Sequence, residues 1–97
     1  MTDFDRIARL GGYADALRND ENFKDVLRGL KDDAIRGWAD SKSTDQREDF
    51  WRDLQAVGRL EDKLRTLGAT YRAELDRRKS EKLKQDRANY REAVDRV

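Results

Sequence analysis

The chain contains no cysteine, no histidine and no proline. Without cysteine there are no disulfides and no thiolate metal sites, and nothing points to an oxidising compartment. Without histidine the commonest general base, the commonest metal ligand and the usual pH switch are all missing. Without proline, nothing in the chain obliges a helix to stop or kink. No apolar run approaches 18 residues, so no membrane-spanning helix and no membrane partner are expected. The start, Met1-Thr2-Asp3-Phe4-Asp5, has neither a basic region nor an apolar core, so no signal peptide is expected either. These absences together lead to the expectation of a soluble protein kept in the cytoplasm.

What the chain has in abundance is charge. Charged residues make up 44% of its 97 residues and hydrophobic ones 36%, which leaves few positions to bury. Runs of alternating β-branched and aromatic residues bounded by turns are absent, so strands are not expected. Apolar residues confined to helical stripes fit an elongated all-α protein that completes its core by pairing with copies of itself or with a partner. The net charge of +1 is unevenly spread. Residues 1–40 carry 7 basic and 9 acidic side chains, residues 41–75 carry 7 of each, and residues 76–97 carry 8 basic and 5 acidic.

The strongest pattern runs from Ser43 to Leu75. Ser43 with Gln46 is a capping-box signature, followed by Asp45, Glu48 and Asp49 where a helix dipole favours negative charge. Phe50, Leu54, Val57, Leu60, Leu64, Leu67, Tyr71 and Leu75 then trace one helical stripe. From Val57 to Tyr71 the steps alternate 3 and 4, the spacing of a seam between helices. This stripe is expected to carry self-association or to close a hairpin. Gly58 and Gly68 interrupt it, either as tolerated surface glycines or where another helix backbone comes close.

Thr2 is a plausible cap for a first helix over about 3–18, along Phe4, Ile7, Leu10, Ala14 and Leu17. Gly11-Gly12 lies inside it, marking a break or a close helix approach. After the polar stretch Asn19-Asp20-Glu21-Asn22, a second helix over about 20–39 carries Phe23, Val26, Leu27, Leu30, Ala34, Ile35 and Trp38 on one face. A short connection to the third helix, about 44–75, predicts an antiparallel hairpin. Residues 1–75 thus form a helical core. Residues 76–97 form a charged tail in which Leu83, Tyr90, Val94 and Val97 are the only spaced large apolar residues. That tail is either a solvated extension of the third helix or a segment that orders on a partner.

Three constellations invite a functional reading. The carboxylates at Asp32-Asp33, Glu48-Asp49-Asp53 and Glu61-Asp62 lack EF-hand spacing and sit beside basic residues, so a salt-bridged face is expected rather than a metal site. Trp38, Phe50 and Trp51 gather around one turn. Trp38 and Phe50 are expected in the core, while Trp51 lies off the stripe and is an interface candidate. Arg77, Arg78, Lys79, Lys82, Lys84 and Arg87, with Tyr90, form a candidate surface for nucleic acid or a partner, interrupted by Glu81 and Asp86. No phosphate-binding glycine loop, nucleophile elbow or zinc motif is present, so no enzyme and no cofactor are expected.

The segments Asn22-Phe23-Lys24-Asp25-Val26-Leu27, Ile35-Arg36-Gly37-Trp38, Asp45-Gln46-Arg47-Glu48-Asp49-Phe50-Trp51 and Leu54-Gln55-Ala56-Val57-Gly58-Arg59-Leu60 carry a resemblance. They resemble short helical proteins encoded among the head and packaging genes of tailed bacteriophages, prophages and gene transfer agents. The resemblance spans about residues 19–67. It implies a small non-enzymatic part of virion assembly or DNA packaging in a bacterial host, with small terminase subunits the nearest comparison. Those proteins form rings through helical hairpins, engage DNA and present a C-terminal segment to the motor subunit. This chain departs from them in its net acidic first forty residues, so no DNA-reading residues carry over. The resemblance implies a homo-oligomer, contact with packaging or virion proteins, and weak non-specific DNA contact. Two other readings stand beside it: a nucleic-acid module using residues 77–91, and a small helical inhibitor or adaptor of a host or phage protein.

Overall fold

The computed structural model describes residues 2–96; Met1 and Val97, the last apolar residue counted in the tail, lie outside the described residues. Three helices account for nearly all of the chain: α1, Asp3–Asn19; α2, Glu21–Asp40; and α3, Thr44–Asp95. Each begins at a side-chain cap. Thr2 accepts from the Asp5 amide at 3.1 Å while the Asp5 carboxylate accepts from the Thr2 amide at 3.1 Å, a complete capping box. Asp20 serves two helices at once. Its amide donates to the Leu17 carbonyl at the end of α1, and its carboxylate accepts from the Phe23 amide at 2.8 Å to start α2. Ser43 accepts from the Gln46 amide at 3.2 Å. The Gln46 side chain, however, accepts from the Lys42 amide at 3.1 Å instead of reaching Ser43, so the expected box is completed one residue further out.

The helices form a rod of 83 × 25 × 23 Å with a radius of gyration of 22.5 Å. A compact globule of this length would have a radius near about 13 Å. α2 folds back on α3 across the Ser41–Ser43 turn as an antiparallel hairpin: Gly37 lies against Phe50, and Lys31 pairs with Glu61 at 2.7 Å. α1 continues along the same side of α3 in the same direction. Gly11 meets Leu67 and Tyr71, Asp15 pairs with Arg72 at 2.7 Å, and Phe4 lies under Arg78. α1 and α2 touch one another little and behave as one strand of a long hairpin, interrupted at Asp20. α3 is the other strand.

The interior is thin and made of small residues. Gly11, Ala14, Leu27, Ala34, Leu64 and Gly68 are buried, and among the described residues no large side chain is fully enclosed. Glycine and alanine on the facing surfaces let the helix backbones come close, since side-chain size at the contact sets the distance between axes. Gly11-Gly12 does not break α1; Gly11 is a close-approach site and Gly12 faces open space. Gly68 likewise lies against Asp15, whereas nothing approaches Gly58, so close approach at that position is not what the fold uses.

α3 does not end where its apolar stripe thins at Leu75. It runs on to Asp95, so residues 76–95 are a solvated extension of the same helix. The covering strand stops where Phe4 meets Arg78. Beyond it about 25 Å of single helix projects, at 1.5 Å per residue.

Candidate functional site

Most of the stripe expected to carry self-association is used inside the chain. Leu64 is buried, and Val57, Leu67 and Tyr71 are half-buried. Val57 lines the α2–α3 groove, Leu64 lies beside Leu27 of α2, and Tyr71 rests on Gly11 of α1. The hairpin-closing role of the stripe is therefore the one observed. Leu60, at 44% exposed, faces outward on a flank.

Tyr13, Val26 and Leu30 are also exposed, but two surfaces gather the residues singled out in the sequence. The first is at the hairpin turn, where Ala34, Ile35 and Trp38 of α2 and Phe50, Trp51 and Leu54 of α3 line a groove of about 280 Å3. Trp38 and Trp51 are 51% and 54% exposed. The expected core position of Trp38 is corrected here. α2 ends two residues after it, so no further turn covers the indole, which lies at the edge of the hairpin. Trp51, by contrast, lies outside the core as its off-stripe position implied. Ser41 secures the turn, its hydroxyl donating to the Gly37 carbonyl at 2.7 Å.

The second surface is the projecting end of α3. Residues 79–96 are exposed on every side. The six basic residues singled out there divide into two groups. Arg77 grips Glu74 and also pairs with Glu81 at 2.6 Å. Arg78 bonds Glu74 at 3.3 Å and stacks its guanidinium over Phe4, 3.6 Å from the ring centroid. The Arg77 pairs lie within α3, and Arg78 is the one that reaches the end of α1. Lys79, Lys82, Lys84 and Arg87 make no ion pair among the described residues. With them stand Leu83, Tyr90 and Val94, between 52% and 73% exposed.

Titration follows the same pairings. The two hydrogen bonds to Thr2 hold the Asp5 carboxyl below its usual range. Hydrogen bonding from Arg77 lowers Glu74, and Glu74 in turn raises Arg77. Of the acidic clusters, Glu48 and Asp49 face Arg52, Glu61 is reached by Lys31 of α2, and Asp62 pairs with Arg65 at 2.8 Å, while Asp32, Asp33 and Asp53 make no ion pair among the described residues.

The contacts that fix the strands against each other, Asp15–Arg72 and Phe4–Arg78, were not singled out from sequence. Nothing in a chain with 22 basic and 21 acidic residues marks two of them, 57 apart, as partners. Taken as a whole, the arrangement leaves an apolar groove at one end of the rod and a charged helix with spaced apolar side chains at the other. Comparison with known protein families, characterised proteins and solved structures finds no match for this chain.

Proposed function

We propose that the chain is a non-enzymatic assembly component that works by helix-to-helix protein contact, in the setting its sequence resembles: packaging or virion assembly of a phage-type particle. One observation carries this reading: α3 continues as a bare helix past the point where α1 ends, with apolar side chains turned to solvent. A helical end without tertiary packing is only marginally held in water, so a helix of this composition is suited to completing its packing on another protein. The exposed Trp38 and Trp51 at the far end supply the residue type most enriched in binding hot spots. The test is absolute mass by light scattering on a size-exclusion column, for the full chain and for a chain lacking residues 76–97. A discrete multimer of the 11.4 kDa chain supports self-assembly. A mass equal to a single chain in both cases overturns it.

A second reading rests on Lys79, Lys82, Lys84 and Arg87, which make no ion pair among the described residues. Together they are suited to weak phosphate contact. Binding to duplex DNA that falls steeply with salt, and is lost with residues 76–97, would favour it over protein contact.

A further inference from the structure

The exposed groove at the turn and the exposed end of α3 cannot meet within one chain. Trp51 and Tyr90 lie on the same uninterrupted helix, 39 residues apart. At 1.5 Å per residue that is about 59 Å. A second copy lying antiparallel along α3 brings groove and end together at both extremities. We infer that the occupant of the groove is the projecting end of a second copy, in a two-fold antiparallel pairing centred between Thr70 and Tyr71. This rests on the self-assembly reading above and specifies its geometry.

The register comes from the outer flank of α3, where residues recur in steps of 3 and 4 from Trp51 to Tyr90, all exposed but the half-buried Gly58. Reversing a second copy about that centre sets Trp51 opposite Tyr90, so that the two aromatics meet. Gly58, which no other group approaches, falls opposite Leu83, leaving room for the larger side chain. Asp62 falls opposite Lys79, and Arg65 opposite Asp76. Asp62 and Arg65 already pair with each other, while Asp76 and Lys79 make no ion pair among the described residues. The four would join into one alternating network. Of this register and its two neighbours, this one alone opposes no like charges along the flank. A shift of seven residues one way places Asp62 against Asp86, offset by Arg72 against Asp76, and the other way Glu48 against Asp86, offset by Asp62 against Arg72. Because the pairing is two-fold, each contact is made twice.

The absence of cysteine makes the geometry directly measurable. Three single-cysteine variants, Gln55→Cys, Ala69→Cys and Asp86→Cys, are spin-labelled and the distance between identical labels is read by pulsed electron resonance. All three positions are exposed on the outer flank. The expected result is a short distance, about 10–20 Å, for position 69 only. Positions 55 and 86 should each give roughly 45–50 Å, from 31 residues of helix rise. Light scattering should give twice 11.4 kDa, and Tyr90→Asp should return the chain to 11.4 kDa with its helical circular dichroism signal retained, because Tyr90 is 73% exposed. Short distances at all three positions would mean parallel association, which overturns this pairing and leaves self-assembly standing. A monomer would overturn both.

Discussion

Gly11 and Gly12 are neighbours in one helix, yet replacing each by alanine should move stability in opposite directions. Both substitutions gain about 1 kcal/mol of helix propensity, so that term cancels between them. At Gly12 the new methyl meets nothing within 4 Å, and the gain should appear nearly whole. At Gly11 the methyl would overlap the Tyr71 Cβ and approach the Leu67 carbonyl oxygen to 2.9 Å. Neither atom lies at the end of a flexible side chain, so the helices themselves must separate. Overpacking of this kind costs about 1–3 kcal/mol. The difference between the two variants therefore isolates the steric cost, and Gly11→Ala should lie about 1–3 kcal/mol below Gly12→Ala. For a chain of this size each kcal/mol corresponds to about 4–8 °C in melting temperature. Thermal unfolding followed by circular dichroism at matched concentration would resolve that. Equal stability of the two variants, or greater stability of Gly11→Ala, would refute the close approach of α1 to α3.

Leu64→Ala should cost about 2–3 kcal/mol, low in the range for buried leucine because solvent reaches the thin core from both sides. Leu60→Ala, at a position 44% exposed, should cost well under half as much; equal losses in a urea titration would show that the stripe faces no core. The acid response follows from Asp5 and Glu74, whose carboxyls titrate below their usual range when folded. A depressed folded value means stability that is present above the unfolded value of about 4 and lost as pH falls through the folded one. With no histidine, the melting temperature should be level from pH 7 to 5 and fall only below about 4. Glu74→Gln should soften that fall, and an unchanged acid limb would remove Glu74 from the account.

The three helices were legible in the sequence because caps and stripes are local. The start of α3 at Thr44 followed from Ser43, and α1 and α2 extend only one residue past their expected ends. The C-terminal end of α3 was not legible from its stripe, because burial and helicity part company there. The apolar pattern fades where α1 stops covering it, while lysine, glutamate, arginine and alanine sustain the helix. The path of α1 along α3 was hidden for a different reason. It depends on single residues far apart, and sequence alone cannot separate the crowded Gly11 and Gly68 from the open Gly12 and Gly58. At the candidate surfaces, the exposure of Trp51 followed from its angle to the stripe. That of Trp38 followed from its place in the last turn of α2, which the apolar face it shares with Ala34 and Ile35 concealed.

Because α1 and α2 lie end to end against a single helix, every contact in the rod is ordered by its distance from one turn. Gly37–Phe50 closes a short loop at Ser41–Ser43, Lys31–Glu61 a longer one, and Asp15–Arg72 spans 57 residues. Each pair that forms shortens the loop left for the next to close, and closing a shorter loop loses less chain entropy. Folding then proceeds as a zipper from the turn outward. α2 settles on α3 first, and Phe4 reaches Arg78 last. Opening runs the other way, from the end where the bare helix emerges, so α1 can lift from its strand while the hairpin around the turn stays shut.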